Sequence, residues 1–165
     1  MNLEPHDEAR LELILRSYSP VFRERRGDSA AIERAWGVPL PPSFCGLIDR
    51  VDGGTLKGGG GVMEIWPTRS NLMLWREDYR AIKSTLGARV AFFASDGGSF
   101  ECFFDVDNYF GRGHYAVLAA DCASDVTELM APTFYAALER VIAGPLRRPE
   151  TDEIPRPRPP GSQRV

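Results

Sequence analysis

"AFFASDGGSFECFFDVD", residues 91–107, decides how this chain folds. Two phenylalanine-rich runs enclose Asp96-Gly97-Gly98, and an Asp-Gly dipeptide tolerates the positive φ angles of a tight turn. With strand-like residues on both sides, the stretch reads as a β-hairpin. As a phosphate cradle it lacks the Gly-x-Gly-x-x-Gly order and a following helix. The tetraglycine of "KGGGGV", residues 57–62, lacks the Lys-Ser/Thr ending of a P-loop and reads as a flexible surface loop.

The signals on either side extend the hairpin into a sheet. "RVAFFAS", "FECFFDV" and "HYAVLAA" are short, aromatic or branched, and separated by turn residues, which predicts an antiparallel meander. "VMEIWP" adds a short strand ending at Pro67. Elsewhere the period is helical. Leu11, Ile14, Leu15 and Tyr18 share one face of a first helix, stopped by Ser19-Pro20. Ile32 and Trp36 mark a short second helix ending at Gly37. Phe44, Leu47, Ile48 and Val51 mark a third, opened by proline and closed by Gly53-Gly54. Leu72, Trp75, Tyr79, Ile82 and Leu86 predict a fourth, and Phe134, Leu138, Val141 and Ile142 a last one before Gly144-Pro145. Trp36, Trp66 and Trp75 lie on apolar stripes and read as core. The fold class is therefore α+β, a single domain with a mostly antiparallel sheet and packed helices.

Residues 145–165, "PLRRPETDEIPRPRPPGSQRV", hold six of the thirteen prolines and hardly any apolar residue. They predict an exposed, disordered Pro/Arg-rich tail beyond a domain of residues 1–144. The tail's five arginines against three acids give it a formal +2, so the net charge of −3 leaves −5 on residues 1–144. That balance argues against nucleic acid as a partner and suits a basic protein. Among 165 residues, 43% are hydrophobic and 26% charged, as in soluble domains, and no run is long enough to span a membrane. A polar N-terminus without signal-peptide character places the chain in the cytoplasm by default.

Catalytic constellations are hard to assemble. Cys45, Cys102 and Cys122 include no CxxC pair and read as buried thiols. His6 and His114 are the only histidines, too few for a metal triad. A dyad of His114 with Cys102 or Cys122 has no local nucleophile motif behind it, and Ser95 and Ser99 lack the Gly-x-Ser-x-Gly setting. On one strand Glu101 and Asp105 stand about 13 Å apart, beyond the reach of a glycosidase pair. "DVDNYFG", residues 105–111, begins like a calcium loop, but Tyr109 and Phe110 occupy positions that need an oxygen ligand and a glycine. The residues point to no enzyme, cofactor or metal.

Three stretches carry a resemblance: "IERAWGVPLPPSFCGLIDRVDGG" at 32–54, "VAFFASDGGSFECFFDVD" at 90–107 and "LMAPTFYAALERVI" at 129–142. In this order they resemble the SMI1/KNR4 family, also called the SUKH superfamily. Ser99 stands where the family often has a third glycine, and the 108–127 stretch looks peculiar to this chain. The resemblance implies an α+β fold, no enzymatic activity, and in bacteria an immunity protein that binds and neutralises a toxin domain, often a nuclease. A regulatory adaptor, binding a host protein through the domain or the tail, is the alternative. For partner contact the candidates are the acids around the hairpin, Asp96, Glu101, Asp105 and Asp107, with Tyr109 and Phe110 as aromatic anchors. Each also has a structural role open to it: Asp96 as turn former, Asp105 as strand-end residue, the aromatics as loop packing.

Overall fold

The computed structural model describes residues 5–21, 25–77, 90–98, 100–121 and 127–144, with the side chains of 74–77 left aside. Twelve elements occupy them: α1 (Pro5–Leu15), β1 (Tyr18–Pro20), α2 (Ser29–Trp36), α3 (Pro42–Val51), β2 (Gly54–Gly58), β3 (Gly61–Ile65), α4 (Thr68–Glu77), β4 (Val90–Ser95), β5 (Phe100–Asp105), β6 (Ala116–Asp121), β7 (Thr127–Ala131) and α5 (Phe134–Ala143). All seven strands form one antiparallel sheet in chain order from β1 to β7. The domain is α+β with a meander sheet, as the hairpin stretch predicts.

Alternation along β5 divides the aromatic residues between two faces. Phe104 faces the helices and stacks on Phe93 with centroids 4.2 Å apart. Phe44 of α3 and Phe134 of α5 meet this stack edge-on at 5.4–5.8 Å. A bulge between Phe92 and Ala94 turns two successive residues of β4 into different packings. Phe92 and Phe103 lie on the opposite face, 5.1 Å apart, where Trp36 and Phe110 cover them. Phe44, Phe93, Phe103 and Phe104 are all fully buried.

Three strands escape the alternation rule. Tyr18 lies in β1 rather than continuing α1, because its ring is buried over Gly54 of β2 while the backbone of Tyr18–Pro20 pairs with Gly54–Leu56. Four of the five residues of β2 are glycine or polar, and β7 has only its ends buried, so neither shows a period-two apolar pattern. β6 begins at Ala116, with His114 and Tyr115 still in the preceding loop. Helix α4 is seen to Glu77; its expected continuation to Leu86, the Trp75 side chain, Ser99, Cys122 and the tail lie outside the described residues.

The tetraglycine is not a free loop. It is the turn between β2 and β3, laid against the C-terminal end of α5: Gly60 N donates to Val141 O at 2.9 Å and Gly59 N to Ile142 O at 3.3 Å. A Cβ on Gly58 would come within 2.4 Å of Val141 O, and one on Gly60 within 2.4 Å of Arg140 O. Helix ends leave carbonyls without partners, and here a hairpin supplies two of the missing donors. Glycine is required by close approach, not by flexibility.

The "VDGG" landmark of 51–54 is similarly explained. Asp52 ends α3 in the left-handed region at φ 46° and is almost fully buried. Its Oδ1 accepts from Thr68 N at 2.8 Å and Thr68 Oγ1 at 2.6 Å, at the N-terminus of α4, where a negative charge is favoured. Arg25 Nε approaches Oδ2 at 3.4 Å. Gly53 and Gly54 follow at positive φ, pressed against Pro67 and Ser19.

Candidate functional site

The six candidate contact residues fall at the two ends of β5, a strand about 17 Å long at 3.3 Å per residue. Asp96 and Glu101 lie at the hairpin end; Asp105, Asp107, Tyr109 and Phe110 lie at the other. The structure therefore does not bring them into one patch.

At the hairpin end Asp96 is exposed, and its Oδ1 accepts from Gly98 N at 2.8 Å and Phe100 N at 3.1 Å. Gly97 takes φ 75°, so the Asp-Gly pair makes the turn. Glu101 is half-buried and pairs in register with Ser95, which pairs with the exposed Glu64 of β3. The Glu64 carboxylate stands beside Gly97, so Glu64 joins the acids of this end. It was hidden in sequence, since only the β3–β4 register reveals it.

At the other end, two expectations are corrected. Asp105 is not an exposed acid: it is fully buried, its Oδ1 accepting from Tyr109 N at 2.7 Å and its Oδ2 from Phe110 N at 2.8 Å. A carboxylate taken from water needs such partners, and the two amides supply them. Nor is Phe110 an exposed anchor: it is 7% accessible and packs on Phe103 at 5.8 Å. Tyr109 is half-buried and meets Phe110 edge-on at 5.3 Å. Asp107 is exposed.

Buried Asp105 organises the whole β5–β6 connection. Its carbonyl accepts from Tyr115 N at 2.8 Å, while Asn108 Oδ1 accepts from Gly113 N at 2.6 Å and Asn108 O from Gly111 N at 3.1 Å. His114 Nδ1 lies 3.1 Å from Val106 O. Asn108 and Tyr115 both take positive φ, 56° and 61°, as do Gly111 and Gly113. Asp107, Asn108, Gly111, Arg112, Gly113 and His114 are exposed on the outer surface.

Of the two thiols considered beside His114, Cys102 sits in an apolar setting, while Cys122 lies outside the described residues. Burial pushes the Cys102 thiol up to about 12, helped by the nearby Asp96 and Glu101 charges, and Cys102 Sγ lies 3.8 Å from Met130 Sδ. Burial likewise pushes Cys45 up to about 11, against a lowering by a hydrogen bond with Ser29. A thiol held protonated is a poor nucleophile. Among the described residues, no three His, Cys, Asp or Glu side chains gather as a metal site, and no helix is long and apolar enough to cross a membrane.

Residues 27–140 match the SMI1 / KNR4 family (SUKH-1). The chain belongs to this family. The SMI1/KNR4 match takes in α2 through most of α5, including both ends of β5, while α1 and β1 precede it. SUKH members are immunity-type protein-binding modules and are generally non-catalytic. No curated protein shows a significant match to the chain.

Those preceding elements are nonetheless part of the SUKH-1 domain's packing here. Leu11, Ile14 and Tyr18 are buried in the common core. Arg50 of α3 pairs with Glu8 and Glu12 at 2.9 Å each, and Arg10 makes two bonds of 2.8 Å to Glu139 of α5 while lying over the Tyr135 ring. These pairs are partly exposed and orient α1 more than they stabilise it.

Proposed function

We propose that the protein is an immunity module that binds a toxin domain, often a nuclease in such systems, and neutralises it by occlusion in the cytoplasm. The observation that carries this reading is the SMI1 / KNR4 match over residues 27–140. The charge of residues 1–144, −5, supports a basic partner, since a nuclease cleft is built to attract phosphate. The exposed acids Asp96 and Asp107, with Glu101 and the half-buried Tyr109, are proposed contacts; buried Asp105 and Phe110 act by holding the loop that carries two of them. The tail of 145–165 is dispensable for this binding.

The test is calorimetric titration of the full chain against catalytically disabled toxin domains encoded beside its gene. A saturable one-to-one complex that weakens with added salt is expected, and a chain ending at Gly144 should bind equally. Absence of binding to every folded candidate would sink the immunity reading.

A further inference from the structure

Register sets one residue from each strand in a single row across the sheet. Ser19, Thr55, Glu64, Ser95, Glu101, Ala120 and Thr127 are paired in succession from β1 to β7. Directly paired residues project to the same side, so the whole row lies on the face away from Phe104. The next row on that face is Phe92, Phe103, Leu118 and Leu129, and Trp36 and Phe110 cover its two phenylalanines. The outer face is thus divided. One half is packed as a second core; the half toward the β4–β5 turn is a row without a large apolar side chain, on strands otherwise crowded with phenylalanine. Ser19 and Glu64 are exposed, and Thr55, Ser95, Glu101 and Ala120 are half-buried.

Two features of this half define what fits it. Val62 stands on the same face of β3 as Glu64, two residues and about 6.6 Å away, and is one of the few large apolar side chains in the domain left exposed, at 37%. Glu101 is already engaged within the domain, whereas Glu64 makes no ion pair or side-chain hydrogen bond among the described residues. An exposed apolar group beside an open carboxylate matches a lysine or arginine, which lays its apolar stem on one and its cationic head on the other. At the far end of the row the Thr127 hydroxyl is buried and has no partner among the described residues, an orphan that a polar group at the β7 edge would satisfy. We propose that this half of the outer face, centred on Glu64 with Val62, Ser95 and Ala120, is where the protein partner seats a lysine- or arginine-bearing segment laid across the strands. The inference rests on the protein-binding reading above. Ser95 and Ala120 are small, so the segment approaches the sheet closely without displacing side chains. The charge of −5 on residues 1–144 favours the same basic occupant and disfavours a nucleic acid.

Three full-length variants, titrated calorimetrically against the toxin domain that the unaltered chain binds, test the assignment. Glu64→Gln and Ala9→Lys each raise the net charge by one, and Ala9 is exposed on α1 in the helix layer, so the two share any far-field effect and differ only in contact. Ser95→Tyr stands a ring in the middle of the row, and tyrosine suits a strand. Glu64→Gln is expected to weaken binding about 5- to 20-fold and Ser95→Tyr about 10- to 100-fold, with unfolding midpoints unchanged, while Ala9→Lys stays within about twofold of the parent. Should Ser95→Tyr melt early, the charge-matched pair decides alone. Glu64→Gln binding no more weakly than Ala9→Lys, or a folded Ser95→Tyr binding as the parent does, overturns the proposal and leaves the immunity reading standing. Failure of the unaltered chain to bind any toxin domain overturns both.

Discussion

Replacing Gly60 by alanine adds one methyl group to a hairpin turn, yet its expected cost is large. The new Cβ would stand 2.4 Å from Arg140 O, 2.5 Å from Gly144 O and 2.9 Å from Val141 O, all backbone atoms that no side-chain rotation can move. Relief requires the turn to lift from α5, which breaks the bonds from Gly60 N to Val141 O and from Gly59 N to Ile142 O. Two backbone hydrogen bonds contribute about 2 kcal/mol and the residual crowding about 1–3 kcal/mol. The lower entropy of an unfolded chain with alanine returns about 0.4–1 kcal/mol. The net destabilisation is about 2–4 kcal/mol, or a fall in Tm of about 6–12 °C for a domain of this size. Gly59→Ala is the matched control, because its nearest contact is Gly144 Cα at 3.1 Å, and it should stay within about 1 kcal/mol of the parent. Differential scanning calorimetry of both variants reads the difference. Equal melting of Gly60→Ala and Gly59→Ala would refute the docking of this turn on the helix and return the tetraglycine to a free loop.

Asp105→Asn keeps one acceptor for the Tyr109 and Phe110 amides and turns an NH2 toward the other, so it should lower the denaturant midpoint by the equivalent of about 1–3 kcal/mol. Ile14→Ala should cost about 2–4 kcal/mol by urea unfolding because Ile14 is buried, whereas Leu13→Ala, at a residue 59% exposed one position earlier, should change stability by under about 0.5 kcal/mol. Cys45 and Cys102 should resist a thiol reagent at pH 8 until the chain unfolds. Their raised thiol pKa values also set a direction with pH: the unfolded thiols ionise from about 9, the folded ones only near 11 and 12, so stability is full below pH 9 and falls as pH rises toward 11–12. Replacing either cysteine by alanine should flatten that alkaline decline in a series of melts.

Where the sequence was legible, one pattern dominated each segment. The hairpin of β4 and β5 shows because aromatic runs and an Asp-Gly turn agree, and α3 shows because its apolar spacing, N-terminal proline and closing glycines agree. β1, β2 and β7 were not legible: their residues are fixed by neighbours distant in sequence, such as Tyr18 over Gly54, and local pattern holds no trace of that. The tetraglycine misled for the same reason, since glycine admits both freedom and close approach and only the partner helix decides between them. Asp105 and Phe110 misled differently. Charge and aromaticity after a strand suggest a surface, but a loop that folds back makes its own interior, and these two residues are that interior.

A loop interior of this kind limits which of its side chains can meet a partner. Of the acids first singled out, Asp96 spends its Oδ1 on two turn amides and Asp105 both oxygens on loop amides, so each serves local shape before any partner. A side chain with both oxygens committed to its own loop, as Asp105 is, makes a poor anchor, because a partner must break existing bonds to use it. An acidic domain can draw a basic partner from a distance and still anchor it through opposite charges at short range, since the far field sums over all residues while a contact is decided by the few groups that touch.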